Sequence, residues 1–215
     1  MEGMSKNEPR ILSFLSRLAD LVLLNLLTLL CCIPVLTAGA SICACHYSAR
    51  KIIKDELHVA TSFWRAFRDN LIRAGILFLI FALVIGASAA TYIFAPAFFA
   101  GSMLAMVRGF EVFVIIAAVM IALWAFPLQA NFVYSIKYIF YNSAVLAIRY
   151  FPRTIGMLLL WALPAVMVLS FRFAWMLAAF FIGLSVPAYF SAKLYRPVFE
   201  DIEEMINSKN EQERK

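Results

Sequence analysis

The sequence predicts an all-α fold, an integral membrane helical bundle with about five transmembrane helices and amphipathic interfacial helices. Of its 215 residues, 64% are hydrophobic and only 15% are charged, whereas soluble domains carry about 25% charged residues. The mean hydropathy is +0.85. A soluble core of this size has no room for so many apolar side chains, so lipid must surround much of the chain.

Charged residues divide the chain into apolar segments long enough to cross a bilayer, which takes about 20 residues each. The predicted spans are 18–37, 74–95, 111–130, 154–171 and 173–193. The last two are expected to form a tight hairpin at Arg172, although the Gly or Pro usual in such a turn is missing there. We assign residues 1–195 to one transmembrane domain and 196–215 to a charged cytoplasmic tail.

The first span resembles a cleaved signal peptide. Small residues after the apolar run 21–36, at positions 38–40, are typical of a signal-peptidase site. The long preceding segment carries Glu8 and Asp20, which a signal peptide would not place there. We therefore expect an uncleaved first helix.

The distribution of Lys and Arg predicts the orientation. The formal net charge is +6, but the basic residues flank apolar runs and form no separate patch, which disfavours a nucleic-acid partner and favours the lipid bilayer. Most of them fall in segments 50–73, 137–153 and 193–215, which five crossings would place on one side. Because positive charge stays cytoplasmic, we predict the amino terminus outside and the carboxyl terminus inside.

Two connecting segments are predicted to lie on the cytoplasmic membrane surface as amphipathic helices. The first carries an apolar face opposite charged residues: Phe63, Trp64, Phe67 and Leu71 against Arg65, Arg68 and Asp69. The second, within 129–151, repeats tyrosines at helical spacing: Tyr134, Tyr138 and Tyr141. Anchoring in the headgroup region is the simpler interpretation, and a docking surface for a cytoplasmic partner is the alternative.

No motif in the sequence predicts catalysis, a cofactor or a metal. Cys43 and Cys45 precede His46, but tetrahedral metal sites need cysteines spaced by two to four residues and a second pair elsewhere. Charged residues stand at the edges of the spans, whereas proton- or ion-driven transporters place them inside the bilayer. We expect a protein that is not an enzyme.

Polar residues within the spans are few. An amide in hydrocarbon must find a hydrogen-bond partner, so Asn25 is expected to make a structural interhelical bond. The alternative is a path for a small solute, lined by Asn25, Gln129 and Asn131. The small residues at 86–90 would allow another helix to approach closely.

Five motifs in order along the chain resemble the YesL-like membrane protein family (DUF624) of Gram-positive bacteria. They are 20–25 (DLVLLN), 32–40 (CIPVLTAGA), 63–70 (FWRAFRDN), 126–132 (FPLQANF) and 149–154 (RYFPRT). The resemblance covers roughly 12–195. The residues that we select from these motifs as candidate partner or helix contacts are Asp20, Asn25, Pro34, Thr37, Gly39, Phe63, Trp64, Phe67 and Asn70.

The resemblance implies a multi-pass protein of the bacterial cell membrane. It also implies a link to carbohydrate uptake, because family members are often encoded near carbohydrate ABC importers. We expect a non-catalytic accessory subunit of such an importer, in contact with its permease subunits, or a self-associating protein. Segment 55–70 lacks the Gly and the Leu-Pro ending of a permease coupling loop, so the chain is not expected to be the permease itself. An autonomous facilitator or channel for a small neutral solute is the alternative.

Overall fold

The computed structural model describes residues 10–56, 58–170 and 173–213, and the regular structure within these ranges is helical. This confirms the predicted fold class. The helices in order are α1 (Arg10–Cys32), α2 (Val35–Ile53), α3 (Val59–Phe94), a 3-10 turn (Ala95–Ala97), α4 (Gly101–Asn131), α5 (Ile136–Arg149), α6 (Phe151–Leu169), α7 (Phe173–Ile182) and α8 (Ser185–Glu213). The turn predicted at Arg172 lies outside the described residues.

Among the described helices, four are long and apolar enough to cross a membrane: α1, α3, α4 and α6. The pair α7–α8 is a fifth candidate, bent by 53° between Ile182 and Ser185. The predicted span 173–193 covers this bend. Helix α2 is not among the candidates, because its small, polar and basic residues keep its hydropathy low.

The chain reverses direction where span 18–37 was predicted to be continuous. Helix α1 ends at Cys32, and α2 begins after Pro34, which has no N–H to continue the helix. The Thr37 hydroxyl lies 2.7 Å from the Cys31 carbonyl oxygen and 2.8 Å from that of Pro34, so it satisfies backbone freed by the break. The returning helix brings Asp55 within 2.7 Å of Arg17, near the start of α1.

The start of α1 and the last part of α8 lie at the same end of the bundle, because both contact the end of α2. Arg50, near the end of α2, pairs with Glu203 of α8 at 2.8 Å. We call this the basic end, defined by Arg17, Arg50, Lys51, Lys54 and Arg65. Five crossings, as the sequence predicts, would put the start of α1 and the last part of α8 at opposite ends of the bundle. Helix α2 adds a return that the hydropathy of the sequence does not reveal.

The first predicted interfacial helix and the second span form one continuous helix, α3. No proline interrupts residues 59–94, so nothing forces a break where the composition changes from amphipathic to apolar. Phe63 is completely buried in the core, whereas Trp64 and Leu71 are exposed. The predicted apolar face is thus divided between the protein interior and the surface.

The second predicted interfacial segment contains α5. Tyr138 and Tyr141 are exposed on this helix, while Ile139 and Leu146 are buried. Tyr134 precedes the helix and is half-buried. Tyr138 and Tyr141 thus lie on the outer side of α5, and Ile139 and Leu146 lie on its inner side. This is the arrangement of an amphipathic helix.

The core surrounds α2, which is buried along most of its length by α1, α3, α4 and α8. Gly39 marks the closest approach: a Cβ atom there would lie 2.1 Å from the Ala74 carbonyl oxygen and 2.7 Å from the Phe78 Cβ. Large aromatic side chains fill the rest of this interior, and the largest completely buried ones are Trp124, Tyr195, Phe63 and Phe199.

Helices α3 and α4 continue beyond this core as a pair, which we call the distal arm (residues 79–117). From Phe78, which contacts α2, α3 runs on to Phe94, adding about 24 Å at about 1.5 Å per residue. At the base of the arm Phe81 packs against Phe126 of α4 and Phe140 of α5, with ring centroids 6.0 and 5.1 Å away, and Ser88 is also buried. The outward residues are large, apolar and exposed, among them Leu83, Ile93, Phe94, Phe98, Met106 and Phe113. This is the surface expected of helices in contact with lipid or with another membrane protein.

Candidate functional site

Asn25 holds together the bend between α7 and α8. Its amide nitrogen donates to the Phe180 carbonyl oxygen at 2.6 Å. Its carbonyl oxygen accepts the backbone N–H groups of Leu184 and Ser185 at 2.7 and 2.9 Å. These N–H groups stand at the start of α8, where no preceding turn can bond them, so Asn25 caps α8 from another helix. The side chain is completely buried and bonded to protein through both polar atoms.

A pair of side-chain amides, Gln129 and Asn70, links α3 to α4. Gln129 donates from Nε2 to Asn70 Oδ1 at 2.9 Å, and Asn70 donates from Nδ2 to the Ala66 carbonyl oxygen at 2.9 Å. Both side chains are buried. Gln129 Oε1 has no hydrogen-bond partner in the described part of the chain. The pair fixes the relative position of the two helices below the distal arm.

The third polar centre joins α2, α4 and α8 at the basic end. The Nη1 atom of Arg50 donates to Asn131 Oδ1 at 3.0 Å and lies 2.8 Å from Glu203 Oε1. The guanidinium also stands over the Phe199 ring, 5.8 Å from its centroid. The Arg50 side chain is only 7% exposed, whereas that of Glu203 is 39% exposed.

A cavity of about 200 Å³ opens beside Arg50. Its lining is mainly basic and polar: Tyr47, Arg50, Lys51, Lys54, Asn131 and Glu203. Lys51 is paired with Glu56. Of the three residues predicted to line a solute path, Asn131 lines this cavity, while Asn25 and Gln129 make the interhelical bonds described above.

The buried side chain of His46 on α2 packs against Trp161 and Tyr195. The ring centroids of Trp161 and Tyr195 lie 5.6 and 5.9 Å from that of His46, and the Tyr195 hydroxyl donates to the His46 carbonyl oxygen at 3.3 Å. Cys43 points instead toward α4, with its Sγ 3.4 Å from the Phe126 carbonyl oxygen. Within the ranges that the structure describes, no three His, Cys, Asp or Glu side chains converge as a metal site.

The remaining predicted contact residues lie in three places. Pro34, Thr37 and Gly39 form the turn and the first part of α2, where they pack inside the protein or shape the break. Phe67 is half-buried and stacks against Phe63, with ring centroids 6.1 Å apart. Trp64 meets Phe67 edge-on at 5.7 Å from the exposed surface of α3, and Asp20 is half-buried on α1.

Sequence reasoning missed the centre around Arg50. It interpreted Arg50 only as a topology signal, since two lysines follow it within four positions. Asn131 is among the predicted residues, but Glu203 belongs to the segment predicted as a charged cytoplasmic tail. No local spacing joins positions 50, 131 and 203, so only the fold brings them together.

The family model described as "Protein of unknown function, DUF624" matches residues 21–92. This region begins four residues before Asn25, includes the α1–α2 turn and ends two residues before Phe94, the last residue of α3. No curated protein matches the chain, and no solved structure matches it. The matched region contains two of the motifs on which the sequence resemblance rests, 32–40 and 63–70, and all but the first residue of a third, 20–25. Residues 21–92 therefore match the DUF624 family, which confirms the resemblance that the sequence motifs indicate.

Proposed function

We propose that this chain is a non-catalytic membrane subunit that packs against another membrane protein through its distal arm. One observation carries the proposal: Ala82, Gly86 and Ala90 recur every fourth residue on an exposed face of α3. A Cβ atom on Gly86 would meet no heavy atom within 4 Å. Gly39 has the opposite surroundings, because the protein itself uses that small residue for close packing.

Small residues at this spacing favour association of membrane helices. Lipid tails are as apolar as the side chains, so helices associate in membranes through close packing and hydrogen bonds rather than through burial from water. Residues spaced by four lie on one face, and small ones let two backbones approach. Helix α4 repeats the pattern with Ala105 and Gly109, both exposed. The distal arm thus offers two faces on which another transmembrane helix can pack.

The interior polar groups favour this role over an autonomous facilitator for a small neutral solute. Such a path needs polar groups free to exchange bonds with the solute. Asn25 is occupied by three backbone groups, and Gln129 donates to Asn70 and leaves one buried oxygen without a partner among the described residues. A subunit whose amides hold its own helices together needs only an outer surface to act.

The partner we propose is the permease of a carbohydrate ABC importer in the bacterial cell membrane. Its support is the genomic neighbourhood that the family resemblance implies. For orientation we propose that both chain ends are cytoplasmic. The basic end holds Arg17, Arg50, Lys51, Lys54 and Arg65, whereas Arg108 is the sole basic residue of positions 79–117. Positive charge resists translocation, so the distal arm is the part that crosses.

The experiment is co-purification from the native host in a mild detergent, comparing Gly86→Leu with Gly86→Ala. Leucine adds bulk on the exposed face of α3, whereas alanine preserves the small-residue pattern. We expect the partner to be retained with Gly86→Ala and lost with Gly86→Leu, while both variants insert at wild-type levels. Equal recovery of the partner with both variants would exclude this face as the contact.

A further inference from the structure

We propose that the cavity at the basic end binds a phosphate group. The inference starts from Arg50, whose buried guanidinium has five N–H donors and no capacity to lose its charge. Its Nη1 atom serves both Asn131 and Glu203. Its Nε and Nη2 atoms are buried and have no hydrogen-bond partner among the described residues. Buried donors on a charged group are costly to leave unbonded, so this edge of the guanidinium is suited to an acceptor.

The unbonded edge belongs to a residue that lines the cavity of about 200 Å³. That volume is enough for a phosphate and the first atoms attached to it. Lys51 and Lys54 stand on the same wall, one turn of helix or less from Arg50. Asn131 adds an amide, and Tyr47 adds a hydroxyl.

The lining favours an anion with several acceptor oxygens. Three cations line this cavity, and the carboxylates of Glu203 and Glu56, which pair with Arg50 and Lys51, leave a net charge of +1. A single carboxylate would balance that charge, but its two oxygens would match few of the donors that Lys54, Asn131 and Tyr47 supply. A phosphate has more acceptor oxygens, so it can accept hydrogen bonds from these three side chains together.

The phosphate could come from a soluble phosphorylated compound or from a lipid headgroup, since the basic end lies where polar and apolar surfaces meet. Binding is measured on the full chain by isothermal titration calorimetry. One titrant is inorganic phosphate with the protein in a neutral detergent. In the other arm, the protein is in phosphatidylcholine nanodiscs with increasing fractions of phosphatidic acid, and bound lipid is counted by native mass spectrometry.

Two substitutions make opposite predictions. Lys54→Gln removes a lining cation and is expected to weaken binding about threefold to fivefold, the range of an exposed charge pair. Glu203→Gln removes the carboxylate that competes for Arg50 and is expected to tighten binding at least about fivefold. The matched controls are Arg65→Gln and Glu204→Gln, exposed neighbours outside the cavity lining, which leave affinity unchanged.

Each outcome decides the proposal. Saturable binding of inorganic phosphate with these opposite shifts supports a soluble ligand, and selective retention of phosphatidic acid with the same shifts supports a lipid headgroup. Absence of both kinds of binding overturns the proposal. Binding that Lys54→Gln and Glu203→Gln leave unchanged also overturns it, because Arg50 would then serve only to join α2, α4 and α8.

Discussion

Replacing Asn25 with leucine tests whether this amide holds the α7–α8 bend. The change removes one donated and two accepted hydrogen bonds, all to backbone groups of residues 180, 184 and 185. Such bonds are worth about 0.5–1.5 kcal/mol each in water-soluble proteins and average about 0.6 kcal/mol in membrane helices. Three together give an expected loss of about 2–4 kcal/mol in the free energy of unfolding.

The matched control is Thr28→Val, one turn along the same helix. Thr28 is also buried, but its hydroxyl donates only to the Leu24 carbonyl oxygen of its own helix, so the control should lose less than about 1 kcal/mol. Unfolding is followed by circular dichroism during titration of mixed micelles with sodium dodecyl sulfate. Hydrogen exchange adds a local measurement: the amides of Leu184 and Ser185 should exchange faster in Asn25→Leu. Equal stability of the two variants, with unchanged exchange at these amides, would refute the capping role.

Two further predictions concern packing and topology. Gly39→Ala should lower the thermal stability strongly, because its Cβ would lie 2.1 Å from a carbonyl oxygen. Gly86→Ala, with no heavy atom within 4 Å, should instead be neutral or stabilising by up to about 1 kcal/mol, and equal melting temperatures of the two variants would contradict this. Alkaline phosphatase should be active when fused after Phe98 at the tip of the distal arm and inactive when fused to either terminus, and activity at the amino terminus would contradict a shared side for the two ends.

Composition was sufficient to predict the helices that face lipid, because the bilayer itself dictates long apolar runs between charges. The same reasoning failed at α2. Its small and polar residues, among them Ser41, His46 and Arg50, are typical of a cytoplasmic loop, yet they form a helix buried by four others. Hydropathy describes the preference of a segment for lipid or water, and it does not describe a segment that packs inside protein.

The polar centres were predictable one partner at a time. The need of Asn25 for an interhelical hydrogen bond followed from the high cost of an unpaired amide in hydrocarbon. Its actual partners are backbone groups exposed by a helix break, and the sequence predicted an unbroken span at 173–193. Residue type thus indicates that a bond must form, whereas the identity of the acceptor depends on how distant helices meet.

The most direct test of the proposed role is affinity purification of the chain from its native host in a mild detergent, followed by quantitative mass spectrometry of the proteins recovered. We expect that an importer permease and its ATPase are recovered at fixed stoichiometry and that Gly86→Leu abolishes their recovery. Recovery of the chain alone, or only of its self-oligomers, would contradict the accessory role.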